Sequence, residues 1–198
     1  MSSDRPIRGS EPLKEVLMKG VVFNLLERVV TEKYGEEAWD SLLEATGQEG
    51  AYTAVGSYAD EDFLSLVGAA SAELDVPADD LVRWFGRSSL PLLREKYPIF
   101  FDHSSTTSFI LTLNDVIHPE VRKLFPGADV PDFDFDSPGD GQVTLGYQSA
   151  RKLCSFAEGL IEGAAEYFGE AVSMEQPLCM KRGDEKCLIV CSFEKLTA

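Results

Sequence analysis

From Met18 the chain sets apolar residues at helical spacing: Val22, Leu25, Leu26, Val29 and Val30 recur through MKGVVFNLLERVVTEKYG, and Tyr34-Gly35 closes the pattern. A second helical stretch, EEAWDSLLEATG, follows at once. Gly47 to Gly56 reads as loop, and Phe63, Leu64, Leu66 and Val67 then mark a helix over Asp60 to Leu74. Pro77 suits a helix start, with Asp79 and Asp80 favourable in its first turn, and that helix is expected to run to about Phe85. Gly86 and Pro91 predict an interruption, and Tyr97-Pro98 an end. Ser104, Ser105 and Thr106 are candidate N-caps of a long helix through Phe109, Ile110, Leu113 and Val116 toward Leu124, where Pro126-Gly127 stops it. Residues 1–17 show no sustained period and read as a flexible extension.

Beyond residue 125 the period changes from helical to alternating. Phe133 and Phe135 alternate with Asp, Ser137 to Gly141 is a turn, and Val143, Leu145 and Tyr147 alternate again, which is the pattern of a hairpin. A helix from Arg151 to Phe168 follows, with Leu153, Phe156, Ala157, Leu160, Ile161, Ala164 and Phe168 on its inner side. Two more strands, near Ala171 to Met180 and Cys187 to Phe193, flank a turn over Lys181 to Glu185. The class implied is α+β, a helical N-terminal half packed on a C-terminal antiparallel sheet with one crossing helix.

Composition narrows the function. The chain has 198 residues, 44% of them hydrophobic, enough for a core of its own. Its 18 Lys and Arg stand against 34 Asp and Glu, a formal charge of -16, so nucleic acid and anionic membranes are poor partners. No apolar run reaches the roughly 20 residues of a membrane helix, and the expectation is a soluble, cytoplasmic protein. Neither a Ser-His-Asp or Cys-His set nor a Walker loop or dinucleotide fingerprint occurs, so the chain is not expected to be an enzyme.

Three groups of residues could carry chemistry. Of the two histidines, His103 lies in a loop beside Asp102 and reads as solvated, whereas His118 ends an apolar helix and precedes Pro119, which obliges the helix to kink or restart. A lone helical His is far more often packed than ligating. Tyr147, Ser149 and Arg151 form a Y-x-S-x-R run that directs two hydroxyls and a guanidinium to one side, as a carboxylate or phosphate clamp would. The competing reading is that Arg151 pairs with acidic neighbours. The four cysteines, Cys154, Cys179, Cys187 and Cys191, all fall in the last quarter, either as a zinc site or as buried free thiols.

Taken in order, these features resemble the H-NOX (heme nitric oxide/oxygen binding) family, which shares its sensor domain with soluble guanylate cyclase. The resemblance is carried by MKGVVFNLLE at 18–27, LNDVIHPEVRKLFPGADVPDF at 113–133 and YQSARKLCSFAEGLIEGAAEYF at 147–168, and extends from Met18 to the last residue. It implies one domain over 18–198, with a helical part over about 18–80, a heme-clasping α/β part over about 81–198, and heme b between them. His118 becomes the proximal iron ligand, and Tyr147, Ser149 and Arg151 become the clamp on the heme propionates. Pro131 matches a position that presses on the porphyrin, and Val22, Leu26, Leu93 and Leu160 match apolar positions around it.

The same resemblance places Phe156 where some family members carry a distal Tyr, with Val, Leu, Ser and Leu at positions 22, 26, 89 and 160. Ferrous-bound dioxygen needs a hydrogen-bond donor and NO does not, so the chain is expected to bind NO and CO and to discriminate against O2. NO weakens the bond trans to it, so the signal is expected to pass by release of His118 to a separate partner, in bacterial members a histidine kinase or a cyclic-di-GMP enzyme. Cys154, Cys179 and Cys187 match a zinc site of a family subset. Gln176 stands where that subset has His, which leaves Cys191 or water as the fourth ligand. The alternatives are a zinc-organised module resembling the vinyl-reductase-like domains, through Cys179, Gly183, Asp184 and Cys187, or a cysteine redox sensor.

Overall fold

The computed structural model describes residues 17–139 and 141–196. A short strand β1 (Leu17–Lys19) leads into α1 (Gly20–Tyr34) and α2 (Glu36–Thr46), and β2 (Ser57–Ala59) pairs back antiparallel on β1 before α3 (Asp60–Leu74). Two strands therefore lie within the part of the chain that reads as helices and loop. They are three residues long, too short for alternation to register in the sequence. Phe23 is the centre of this half, stacked on Tyr52 at 4.4 Å and packed edge-on against Phe63 at 6.2 Å.

The next helix, α4 (Ala78–Lys96), is continuous, in contrast to the expected break at Gly86 and Pro91. The glycine is there for close packing: a Cβ at Gly86 would meet the backbone of Phe156 and Leu160, one at Gly159 the carbonyl of Arg83, and one at Gly163 the carbonyl of Arg87. Helix α7 (Cys154–Tyr167) thus lies backbone to backbone on α4. Ion pairs from Arg83 to Glu162 (2.7 Å) and Glu158 (3.3 Å) flank the seam.

The expected long helix to Leu124 is also divided. Ser105 caps α5 (Thr106–Ile110) with a capping box formed with Ser108, a π-helical turn covers Leu113–Ile117, and α6 runs from His118 to Leu124. Pro119 sits in the first turn of α6, where no N–H is needed, and this is the restart its position predicts. The hairpin strands β3 (Asp132–Gly139) and β4 (Gln142–Gln148) join β5 (Glu170–Leu178) and β6 (Cys187–Lys195) in one antiparallel sheet of order β3-β4-β6-β5, crossed by α7. The α+β class holds.

Two large cores result. One is built by α1 to α4 around Phe23, Phe63 and Phe85, and the other by the sheet, α5 and the inner faces of α4 and α7 around Ile110, Leu145 and Ile189. No described helix is long and apolar enough to cross a membrane. Of the expected extension, residues 1–16 lie outside the described residues and Leu17 belongs to β1.

Candidate functional site

His118 opens α6, and its ring stacks on Phe133 of β3 at 5.6 Å and 28°. Burial, assisted by the charge of Arg122 and opposed by Asp132, lowers its pKa from 6.5 to about 4. The imidazole is therefore neutral at physiological pH, with a nitrogen lone pair to offer. Phe133 continues the contact to Tyr147, edge-on at 5.6 Å. A single aromatic thus joins the two motifs that the sequence separates by nearly thirty residues. Asn114, in the π turn, fixes the arrangement by donating to the Phe133 carbonyl at 2.7 Å.

Tyr147 is the last inward residue of β4 and is buried. Its burial raises the phenol to about 12, an effect partly offset by a hydrogen bond with Ser149, so it remains protonated and able to donate. Ser149 also accepts from the Arg151 N–H at 3.3 Å, and Lys152, with φ of 53°, turns the chain into α7. This turn is why α7 begins at Cys154 rather than at Arg151.

Arg151 is engaged with acidic neighbours, the competing reading of the sequence. Its Nε lies 2.9 Å from Asp60 Oδ2, and both side chains are about nine-tenths buried. Its Nη1 donates to the Asp129 carbonyl at 2.6 Å and to Asp129 Oδ2 at 3.2 Å, and its Nη2 donates to the Leu17 carbonyl at 2.6 Å. Of five guanidinium N–H groups, one on Nη2 is left without a partner among the described residues. Burial raises the Asp60 carboxyl, and Arg151 opposes that rise. Beside the guanidinium lies a small cleft lined by Met18, Asp60, Phe63, Leu64, Arg151 and Leu153.

The remaining expected residues divide between the cores. Val22 and Phe156 pack half-buried against the first, in which Leu26 is fully enclosed. Leu93 and Leu160 pack against the second, and Pro131 is half-buried ahead of β3. Phe156 lies on Phe85 at 5.0 Å. Ser89 of α4 is wholly buried with no hydrogen-bond partner for its hydroxyl. It is one turn from Phe85 and Leu92 of the first core and adjacent to Leu90 of the second.

Cys154, Cys179 and Cys187 come together. Their sulfurs lie within 4.8 Å of one another, with 3.8 Å from Cys154 to Cys179 and 4.0 Å from Cys187 to Cys179. The sulfur of Cys187 accepts the Met180 N–H at 3.3 Å. Burial raises the Cys179 thiol, but the N–H groups of Lys181 and Arg182 and the neighbouring thiols outweigh it and leave it lowered, while burial drives Cys187 upward. Cys191 is the correction. Although it shares the inward face of β6 with Cys187, Ile189 separates them, and Cys191 packs in the second core, not with the other three. Tyr147 packs with the three thiols in one small cluster, flanked by Phe133, Ala157 and Met180.

Sequence reasoning missed Asp60, Asp129 and the bridging role of Phe133. The two acids look like surface charge in an acidic chain, and nothing local marks them. Phe133 was visible only as an alternating strand residue.

The family model described as haem-NO-binding matches residues 19–176. The chain belongs to the H-NOX family. Among solved structures, the H-NOX protein of S. oneidensis in the Fe(II)NO ligation state superposes with a TM-score of 0.85 at 32% identity, over 90% of this chain and 100% of that one. The IWP-051-bound H-NOX of Shewanella woodyi in the Fe(II)CO state gives 0.75 at 36% identity, over 88% and 94%. The Fe(II) unliganded H-NOX of K. algicida gives 0.81 at 25% identity, over 91% and 99%. The family match supports the H-NOX reading over the vinyl-reductase-like one.

Proposed function

We propose that this H-NOX chain is a heme-based gas sensor that takes NO and CO at ferrous heme, discriminates against O2 and signals to a separate partner without catalysis of its own. The observation that carries the reading is His118: a half-buried, neutral imidazole that no hydrogen bond engages among the described residues, stacked against Phe133 within reach of the Tyr147 motif. The donor set suits a heme. A neutral nitrogen suits the iron; two hydroxyls and a guanidinium suit the two propionates; and the junction of two apolar cores suits the macrocycle. When bound, the heme supplies an iron with a position open to a diatomic gas.

In this reading His118 holds the iron, and Tyr147, Ser149 and Arg151 hold the propionates. The spare Arg151 N–H is available at once, and a propionate can also replace the exposed Asp129 carboxylate, leaving the buried Asp60 as the permanent partner of the guanidinium. Val22, Leu26, Leu93, Pro131, Phe156 and Leu160 wall the pocket. Phe156 offers no donor to a polarised ligand, and the Ser89 hydroxyl is the one polar side-chain group among these positions. One neutral hydrogen bond contributes only about 1 kcal/mol net, roughly fivefold in affinity, which is small support for dioxygen.

The output rests on a weakly anchored element. Neither the π turn nor α6 contains a buried residue, so the segment is held by few contacts: the His118 ring on Phe133, the Asn114 hydrogen bond, half-buried Leu113 and Ile117, and the buried Phe125 just beyond. Releasing the imidazole frees the segment, whose movement a partner such as a histidine kinase or a cyclic-di-GMP enzyme reads. The test is spectroscopic. Purified holo-protein is expected to be red, with a Soret band that shifts on addition of NO and no stable oxy complex in air. His118→Gly is expected to abolish the NO-dependent change in protease sensitivity of the α6 segment. A colourless protein, or a stable oxy form, would refute the reading.

The thiol trio is read as a zinc site. A tetrahedral zinc with bonds of about 2.3 Å sets its sulfurs about 3.8 Å apart, the spacing seen at Cys179, and N–H donors of the following turn stabilise thiolate there.

A further inference from the structure

We propose that Gln176 completes the thiol site through its carboxamide oxygen, and that a metal held by three thiolates and one amide is exchangeable. The inference rests on the reading of Cys154, Cys179 and Cys187 as a zinc site.

The Gln176 Nε2 is buried without a hydrogen-bond partner. A buried amide nitrogen left unsatisfied costs free energy and needs an account. Its two ends exchange by a half-turn about the last side-chain bond, so the oxygen can take the place of the nitrogen. The strand register places Gln176 on the side and at the end of the sheet where the thiols lie. Along β5, Val172, Met174 and Gln176 are half-buried while Ser173, Glu175 and Pro177 are exposed, so Gln176 faces the side occupied by Cys187 and Ile189. Pairing of Met174 with Cys191 and of Leu178 with Leu188 brackets Gln176 against the Cys187 end of β6, and a bulge between Glu175 and Leu178 leaves it outside the regular ladder. The Gln176 carbonyl also accepts from Arg182 at 2.7 Å, which ties it to the turn that follows Cys179.

Other donors are engaged elsewhere. Asp184 Oδ2 accepts the Cys179 N–H at 2.7 Å, and Cys191 belongs to the second core. Thiolate and imidazole suit zinc, whereas a carbonyl oxygen suits harder cations and is the weaker donor in this set. The fourth bond is therefore the one that opens to an incoming chelator.

The test uses the full chain loaded with one equivalent of Zn(II), and in parallel Co(II), with release followed by a chromophoric chelator. Gln176→Ala is expected to weaken metal binding about tenfold or more and to alter the cobalt d–d bands, which report the fourth ligand directly. Gln176→His is expected to slow release at least about tenfold. Unchanged affinity and an unchanged cobalt spectrum in Gln176→Ala would overturn the role of Gln176 while leaving the thiol site standing. Failure of the wild-type chain to hold either metal, or unchanged binding in Cys187→Ser, would overturn both.

Discussion

Burial of the His118 ring makes its chemistry pH-dependent in a definite direction. With its pKa lowered from 6.5 to about 4, the unfolded chain binds a proton over this window that the native chain does not. Stability contributed by the neutral ring is complete above about 6.5 and is lost as pH falls toward 4. The urea midpoint of heme-free protein is expected to drop across this window, and the His118→Gln variant to lack that part of the slope. Arg151 and Asp60 make a second test at this scale. Removing the carboxylate strands a guanidinium that is nine-tenths buried, so Asp60→Asn is expected to cost about 3 kcal/mol in urea unfolding. Nothing in the sequence around Asp60 marks it apart from its neighbours Glu61 and Asp62. Its role comes from a partner ninety-one residues away.

Between elements, the seam of α4 and α7 fixes the two cores relative to each other. Gly159 sits against the Arg83 backbone carbonyl, an atom that cannot rotate aside, and Gly159→Ala is expected to lower stability by about 1 to 3 kcal/mol, read as a fall in Tm. Gly86 was legible as a helix breaker because local propensity penalises glycine, yet helix packing overrides that penalty and keeps α4 intact. The segment before His118 shows the reverse. Its apolar spacing predicts one helix, but Thr112 and the π turn accommodate Asn114 bonding to Phe133, and the regular ladder is broken. Pro119 lies at the junction, in the first turn of α6. Pro119→Ala is expected to lower the fraction of five-coordinate nitrosyl heme, because a more continuous helix resists release of His118; an unchanged electron paramagnetic resonance spectrum would remove that role.

Across the molecule, the candidate heme site and the thiol cluster share a wall. Tyr147 packs on Cys154, Cys179 and Cys187 on one side and on Phe133 on the other, so the two sites lie within one continuous contact from α6 to β6. Arg151 binds together β1, α3 and the loop after α6, three segments that otherwise belong to different parts of the chain. A ligand seated at their junction stabilises the native state by mass action. Heme loading is expected to raise Tm well above that of the heme-free chain, and Arg151→Ala to reduce that increment while leaving a measurable Soret band.

The sequence by itself determined the helical and alternating periods, the hairpin, the order of the motifs and the family, because each is a local pattern of side-chain type repeated over ten residues or more. It also determined the identities of His118, Tyr147, Ser149 and Arg151 as candidates. Only the tertiary structure decided that Phe133 joins the first two, that Asp60 and Asp129 engage the last, and that Cys191 leaves the other cysteines for a different core. Those outcomes depend on which faces of distant elements meet. The periodicity of one element records that it has a buried face, but it does not record what covers it.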